Sequence, residues 1–76
     1  MSNKYPIYFI GIGGIGMSSL AQFFIKNGHT VGGYDLNLSE MTEKLIDLGA
    51  RISNNDSLKS IPDVFKKNKN TLVIYT

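Results

Sequence analysis

The sequence contains no cysteine, and it has only one histidine and two prolines among its 76 residues. The absence of cysteine excludes disulfides, zinc–thiolate sites and thiol chemistry within these residues, and it fits a reducing compartment. His29, the single histidine, directly follows a predicted helix. We interpret it as a residue of the turn into the next strand, not as a catalytic group.

Long apolar runs are also missing. No run approaches the ~20 residues that span a bilayer. The first 21 residues superficially resemble a signal peptide, because Lys4 precedes an apolar stretch, 5–17, that small residues follow. Four glycines interrupt that stretch. Their spacing is explained better by a phosphate-binding turn, so we do not interpret the segment as a leader.

Neither positive nor negative charge strongly predominates. Eight Lys/Arg stand against six Asp/Glu, and a formal net charge of +2 is too weak to indicate a nucleic-acid partner. The one basic cluster is Lys66, Lys67 and Lys69, which we interpret as a solvated loop. The length allows a single domain, and a hydrophobic content of 42% is typical of a folded chain.

The most informative stretch is 11–16, which matches G-x-G-x-x-G with one additional glycine. It follows an apolar run, 7–10, and it opens a helical pattern. A second apolar run, 30–34, ends in Asp35, nineteen residues after Gly16. A strand, a glycine turn, a helix, a strand and an acid follow each other in the order of a nucleotide-binding βαβ unit.

Each glycine of this turn has a predicted role. Gly11 is expected in a tight turn, and Gly13 is expected to let a diphosphate approach the backbone, because glycine has no Cβ. Gly16 is expected to let the helix pack close to the strand. The first N–H groups of the helix lack intrahelical partners, and the helix dipole favours an anion beside them.

Along the chain, hydrophobic periodicity and turn residues predict the order β-α-β-α-β-α-β. Right-handed crossovers then give an open parallel sheet of order 3-2-1-4 with helices on both faces, a Rossmann-like α/β fold. The predicted strands are 5–10, 30–34, 50–52 and 71–75, and the predicted helices are 15–27, 40–48 and a short one near 61–65. The pattern looks like the front portion of a longer protein, with an exposed edge at the fourth strand.

Helix faces and ends follow from the same patterns. The inward face of the first helix is predicted to carry Met17, Leu20, Ala21 and Phe24, and that of the second Met41, Leu45 and Leu48. Ser39 is predicted to cap the second helix, and Gly28 to end the first.

The residues alone leave several functions open. They contain no G-x-x-x-x-G-K-[ST] loop for ATP and no clustered metal ligands or nucleophile–base set. One reading is the NAD-binding half of an oxidoreductase, with Asp35 on the ribose hydroxyls. A second is a site for the diphosphate of a nucleotide-sugar, and a third is a regulatory α/β module that retains the turn.

A family resemblance favours the second reading. Residues 9–21 closely resemble the opening of ligases of the Mur ligase family, particularly in Met17 and Ser18 after the glycines. Residues 28–35 look like that family's second strand and acid. The segments 42–45, 48–50 and 71–76 are similar to its second helix, the exit from that helix and its fourth strand.

The resemblance implies a cytoplasmic, ATP-dependent, three-domain ligase of peptidoglycan synthesis. It implies that L-alanine is joined to UDP-N-acetylmuramate through an acyl phosphate, with Mg²⁺. Residues 1–76 would be most of the N-terminal UDP-binding domain. ATP, Mg²⁺ and alanine would be bound by the absent central and C-terminal domains, so we expect no ligase activity, no catalytic residue and no metal ligand in this chain. The opening loop differs from that of the sibling ligase that adds a tripeptide.

The same resemblance supplies the candidate site. Asp35 and Asn55 would lie near the uridine. Asn55 is the best substitute for a histidine that many members carry in the loop after the third strand, where this chain has 53–56. The residues that would hold the diphosphate are Gly11, Gly13, Gly14, Ile15, Gly16, Met17 and Ser18.

Overall fold

The computed structural model describes residues 4–75. The strands are β1 (Ile7–Ile10), β2 (Val31–Tyr34), β3 (Arg51–Ser53) and β4 (Leu72–Ile74). The α-helices are α1 (Ile15–Lys26), α2 (Glu40–Asp47) and α3 (Asp63–Lys66), with a 3₁₀ helix at Leu58–Ser60. The predicted order of strands and α-helices is confirmed, whereas the 3₁₀ helix was not predicted and the strands are mostly shorter than expected.

The four strands form one parallel sheet of order β3-β2-β1-β4. In its register Phe9 stands beside Gly33 on one side and beside Ile74 on the other. The predicted topology and the Rossmann-like α/β fold are therefore confirmed. Because all strands are parallel, their carboxyl ends meet at one edge, where the loops after β1, β2 and β3 lie together.

The two faces of the sheet carry different helices. On one face α1 and α2 cover a core of buried side chains: Ile7, Phe9, Ile12, Ala21, Val31, Leu45 and Ala50. On the other face α3 contributes Phe65, whose ring lies 5.3 Å from that of Tyr8. The alternation of Tyr8 and Phe9 on successive positions of β1 separates these two layers. Helices on both faces are thus confirmed.

The glycine pair of β2 allows both layers to approach the sheet closely. A Cβ on Gly32 would lie 2.6 Å from the Phe65 ring. A Cβ on Gly33 would lie 2.6 Å from the carbonyl oxygen of Phe9 and 3.0 Å from the Ile12 side chain. The sequence-based expectation that these glycines mark a close approach is confirmed, and the approaching groups belong to the chain itself.

Both helix ends predicted from single residues are confirmed. Ser39 accepts a hydrogen bond from the Thr42 amide, and the Thr42 hydroxyl oxygen accepts one from the Ser39 amide, which completes a capping box. Asn27 is the C-cap of α1, and Gly28 follows with a φ of 88°, a conformation that glycine adopts without strain.

The predicted inward faces of the helices are only partly right. Leu20 and Leu48 are exposed by 38% and 41%, whereas Ser18 and Thr42 are buried. The two hydroxyls can be buried because each donates to a carbonyl of its own helical turn, Ser18 to Ile15 and Thr42 to Ser39. A hydrophobic pattern cannot anticipate that, because it scores both residues as polar. Within residues 4–75, none of the helices combines the length and apolarity needed to cross a membrane.

Gly33→Ala is predicted to destabilise the chain by about 2 kcal/mol, because the new methyl must displace the Phe9 carbonyl and Ile12. Gly16→Ala is the matched control. Nothing lies within 4 Å of its added Cβ, and alanine favours the helix, so we expect a gain of about 0.5 kcal/mol. Urea denaturation of both variants measures the two changes. Equal free energies of unfolding would contradict the close packing at Gly33.

The buried Tyr8 side chain predicts that the fold loses stability at alkaline pH. Burial raises the pKa of its hydroxyl above the ordinary value of 10.0. The neutral form therefore stabilises the fold below that pH, and this contribution is lost as the pH rises through the folded-state pKa. The stability of the wild type relative to Tyr8→Phe should fall as the pH rises from the ordinary value of 10.0 through the raised folded-state pKa. A difference that stays constant over this range would contradict the prediction.

Candidate functional site

The glycine loop between β1 and α1 is fixed to the sheet by its first residues. The N–H groups of Gly11 and Ile12 both donate to the carbonyl oxygen of Tyr34, at 2.7 and 3.1 Å. Gly11 has a φ of 83°, as the predicted tight turn requires, and the Ile12 side chain is fully buried in the core. The loop therefore has a defined position at the carboxyl edge of the sheet.

Helix α1 begins without a side-chain cap. Its N-cap residue is Gly14, and the first intrahelical bond runs from the Ser18 amide to the Gly14 carbonyl at 2.8 Å. The three preceding amides, those of 15–17, have no intrahelical acceptor. Helix α2 has the capping box at the same point. Of the two longer helices, α1 thus presents uncapped amides at the carboxyl edge and α2 does not.

The surroundings of these amides suit an anion. The first turn of α1 contains no acidic residue, whereas that of α2 contains Glu40 and Glu43. Gly14, Ile15 and Gly16 are exposed, and the two glycines add no side chain beside the first amides of the helix. The helix dipole adds a partial positive charge at this end. The arrangement can bind a phosphate or another anion through backbone N–H groups.

The amides of the predicted diphosphate residues fall into three groups, and that of Gly13 stands alone because it donates to the Asp35 carboxylate. Gly11, Gly14 and Ser18 have amides that already donate to carbonyls of the chain. The Ser18 hydroxyl is buried and donates to the Ile15 carbonyl at 3.1 Å. The free donors of the set are the amides of Ile15, Gly16 and Met17. A diphosphate role for this set stays a prediction.

Asp35 stands at the end of β2 and bridges two loops. Its Oδ2 accepts a hydrogen bond from the Gly13 amide at 2.7 Å, and its Oδ1 accepts one from the Asn37 amide at 2.9 Å. Its own amide donates to the Ser53 carbonyl at 3.0 Å. Asp35 therefore links the glycine loop, the loop after β2 and the end of β3.

The geometry bears on two of the glycine roles inferred from the sequence: the role of Gly13 stays a prediction, and that of Gly16 is wrong. A Cβ on Gly13 would lie 2.8 Å from Asp35 Oδ2 and 3.0 Å from the Thr42 methyl, so the group closest to Gly13 is a carboxylate of the chain. Gly16 was expected to let the helix pack on the strand, which is wrong, because nothing lies within 4 Å of its Cβ position. The close approach in this fold occurs at Gly33 instead.

Asn55 lies beside an apolar cavity of about 360 Å³ at the same edge. Its Oδ1 accepts from the Ser57 amide at 2.8 Å, which leaves its Nδ2 group as a donor. The apolar and aromatic side chains that line the cavity are Tyr8, Ile10, Tyr34, Leu58 and Ile61. The sequence did not point to these residues, and the 3₁₀ helix that brings Leu58 to the cavity lies in a stretch for which no element was predicted.

Metal and ATP sites do not fit the residues present. Residues 4–75 contain no group of three His, Cys, Asp or Glu side chains that could hold a metal ion. Met17 and Ser18 follow the last glycine of the loop, at the positions where an ATP-binding P-loop has lysine and Ser/Thr. We therefore derive no chemical step through ATP or Mg²⁺ from this chain.

Comparison with known proteins now places the chain. The sequence model described as "Mur ligase family, catalytic domain" matches residues 6–75. The chain belongs to the Mur ligase family. The match includes the glycine loop, Asp35 and all four strands.

Relatives from this family support the assignment over the whole chain. The UDP-N-acetylmuramate–L-alanine ligase of Phocaeicola vulgatus is 53% identical over 70 residues, which are 92% of this chain and 15% of that protein. The enzymes of the same name from Flavobacterium psychrophilum and Cytophaga hutchinsonii are 51% and 43% identical. Both comparisons cover 100% of this chain, and 17% and 16% of those proteins. The chain thus spans about one sixth of the length of these relatives.

Gly13→Ala is predicted to destabilise this Mur ligase chain by about 1 kcal/mol, because the methyl pushes the Asp35 carboxylate off the Gly13 amide. In an Asp35→Ala background the carboxylate is gone and only the Thr42 methyl remains close, so the same substitution should cost less. Urea denaturation of the two single variants and the double variant gives the coupling free energy. Additive effects would show that Gly13 and Asp35 do not interact.

Proposed function

We propose that this chain is the UDP-N-acetylmuramate-binding N-terminal domain of an ATP-dependent ligase that adds L-alanine to that nucleotide in peptidoglycan synthesis. The observation that carries the proposal is the uncapped start of α1 beneath exposed glycines. The names of the relatives, which are ligases of UDP-N-acetylmuramate and L-alanine, supply the substrate.

The diphosphate is assigned to the first turn of α1. Phosphate oxygens are acceptors only, and the amides of 15–17 are donors without intrahelical partners. Binding through backbone N–H groups requires that no side chain shields them, and Gly14 and Gly16 provide that. The helix dipole adds attraction for the negative charge.

The uridine is assigned to the neighbouring edge of the sheet. The apolar cavity has room for a flat ring and is lined by Tyr8 and Tyr34, and the partly exposed ring of Tyr34 can stack on a base. Asn55 can donate from Nδ2 to a carbonyl oxygen of uracil. Each Asp35 oxygen holds one amide and keeps a lone pair for a ribose hydroxyl. Asp35 and Asn55 thus remain the proposed uridine contacts.

The ligation itself is assigned to parts of the whole protein outside this chain. The described residues offer neither an ATP loop nor a metal cluster. We therefore propose that ATP, Mg²⁺ and L-alanine bind elsewhere in a cytoplasmic full-length enzyme, and that this chain alone releases no ADP in the presence of alanine. No observation in residues 4–75 favours the alternative, an NAD-binding half of an oxidoreductase.

Titration followed by backbone amide NMR tests the proposal, with UDP-N-acetylmuramate, UDP and NAD as parallel ligands. The two uridine nucleotides should shift the amides of 15–17 and the side-chain amide of Asn55, and NAD should not. Shifts caused by NAD alone would contradict the proposal and support the oxidoreductase reading.

Gly14→Asp is predicted to weaken UDP binding about tenfold or more, because an aspartate at the N-cap accepts from the amides that the diphosphate needs and repels the ligand. The backbone at Gly14, with φ of −63° and ψ of 154°, allows an N-cap aspartate. Gly14→Ala is the matched control, because it adds the same Cβ without a carboxylate. Calorimetric titration with UDP compares the variants, and equal affinities would place the diphosphate away from α1.

A further inference from the structure

The Gly13 amide differs from the other donors of the glycine loop, because it is bound to a charged side chain. Asp35 Oδ2 lies 2.7 Å from the Gly13 nitrogen, a short distance typical of a charge-assisted hydrogen bond. The contact joins residues 22 positions apart, and it is partly buried. The Asp35 carboxylate therefore already accepts the hydrogen bond that the Gly13 amide could donate to a bound anion.

The loop does not depend on this contact for its position. The bonds from Gly11 and Ile12 to the Tyr34 carbonyl and from Gly14 to the Gly11 carbonyl involve no side chain. The buried Ile12 side chain anchors the loop in the core. Removing the Asp35 carboxylate would thus release the Gly13 amide and leave the rest of the loop in place.

A phosphate and Asp35 cannot share that amide. The amide has one proton, and a second anion there would face the carboxylate at close range, where like charges repel by an amount comparable to a good hydrogen bond. The amides of 15–17 lie in the next turn and have no such occupant.

We propose that Asp35 is a specificity-determining residue that acts as an internal anion and keeps phosphate off the Gly13 amide. The inference rests on the proposed function, because it takes the first turn of α1 as the diphosphate site. It adds that the bound diphosphate stays confined to the amides of 15–17. The accepted ligands are diphosphates that reach the amides of 15–17 without contacting the Gly13 amide.

Inorganic pyrophosphate and UDP, titrated into the ¹⁵N-labelled 76-residue chain, serve as probes. In the wild type both should shift the amides of 15–17 and leave Gly13 and Asn37 unchanged. In Asp35→Ala, pyrophosphate should also shift Gly13, and its affinity should rise by roughly threefold to tenfold, because one nearby negative charge is removed and one donor is gained.

Asp47→Ala is the matched control, because it removes the same charge from the last residue of α2, an exposed position at the helix end remote from the loop. It should leave pyrophosphate affinity within about twofold of the wild type. Asp35→Asn separates charge from shape. It keeps one acceptor oxygen for the Gly13 amide, so pyrophosphate should tighten without a Gly13 shift.

The outcomes separate this inference from the proposed function. Pyrophosphate that shifts Gly13 in the wild type, or binds Asp35→Ala no more tightly, overturns the internal-anion role while the function stands. Binding to Asp35→Ala but not to the wild type supports the internal anion and contradicts the proposed function. A chain that binds neither probe in any variant overturns both. A loss of UDP affinity in Asp35→Ala with unchanged pyrophosphate affinity assigns Asp35 to the ribose only and overturns the inference.

Discussion

The carbonyl oxygen of Tyr34 accepts hydrogen bonds from two successive amides, those of Gly11 and Ile12. This pair of bonds joins the end of β2 to the turn that follows β1. With the burial of Ile12, it fixes where α1 begins and which way its first amides face. Asp35, the next residue after Tyr34, is thereby brought onto Gly13. The position of the candidate anion site and the position of its acidic neighbour therefore depend on one junction between two strands.

The candidate anion site consists mainly of backbone amides, which explains why the start of α1 has no capping side chain. Amides at a helix start can bind an anion only if no side chain caps or covers them, as in α1. In α2 the Ser39 capping box already occupies these amides. Because the N-cap residue of α1 is glycine, the missing side-chain cap costs roughly a few tenths of a kcal/mol of helix stability, so the fold tolerates an open helix start. Helices α1 and α2 thus differ in whether a side chain of the protein caps their first amides.

Much of this could be predicted from the sequence, because the deciding signals are local. Glycine spacing, the alternation of strand and helix periods and the right-handed crossover rule together predict the 3-2-1-4 sheet. What the sequence could not predict depended on contacts between distant residues or on polar groups that form hydrogen bonds within their own helical turn. The role of Gly13 beside Asp35, the open space around Gly16 and the burial of Ser18 and Thr42 all require coordinates. The cavity beside Asn55 was missed because a 3₁₀ turn has no hydrophobic period of its own.

The most direct test of the account is a crystal structure of the chain with UDP bound. The account predicts phosphate oxygens at about 2.7–3.2 Å from the amide nitrogens of Ile15, Gly16 and Met17, with the Gly13 amide still on Asp35 and the uracil in the cavity beside Asn55. A diphosphate that lies elsewhere on the sheet edge, with the start of α1 bare, would contradict it.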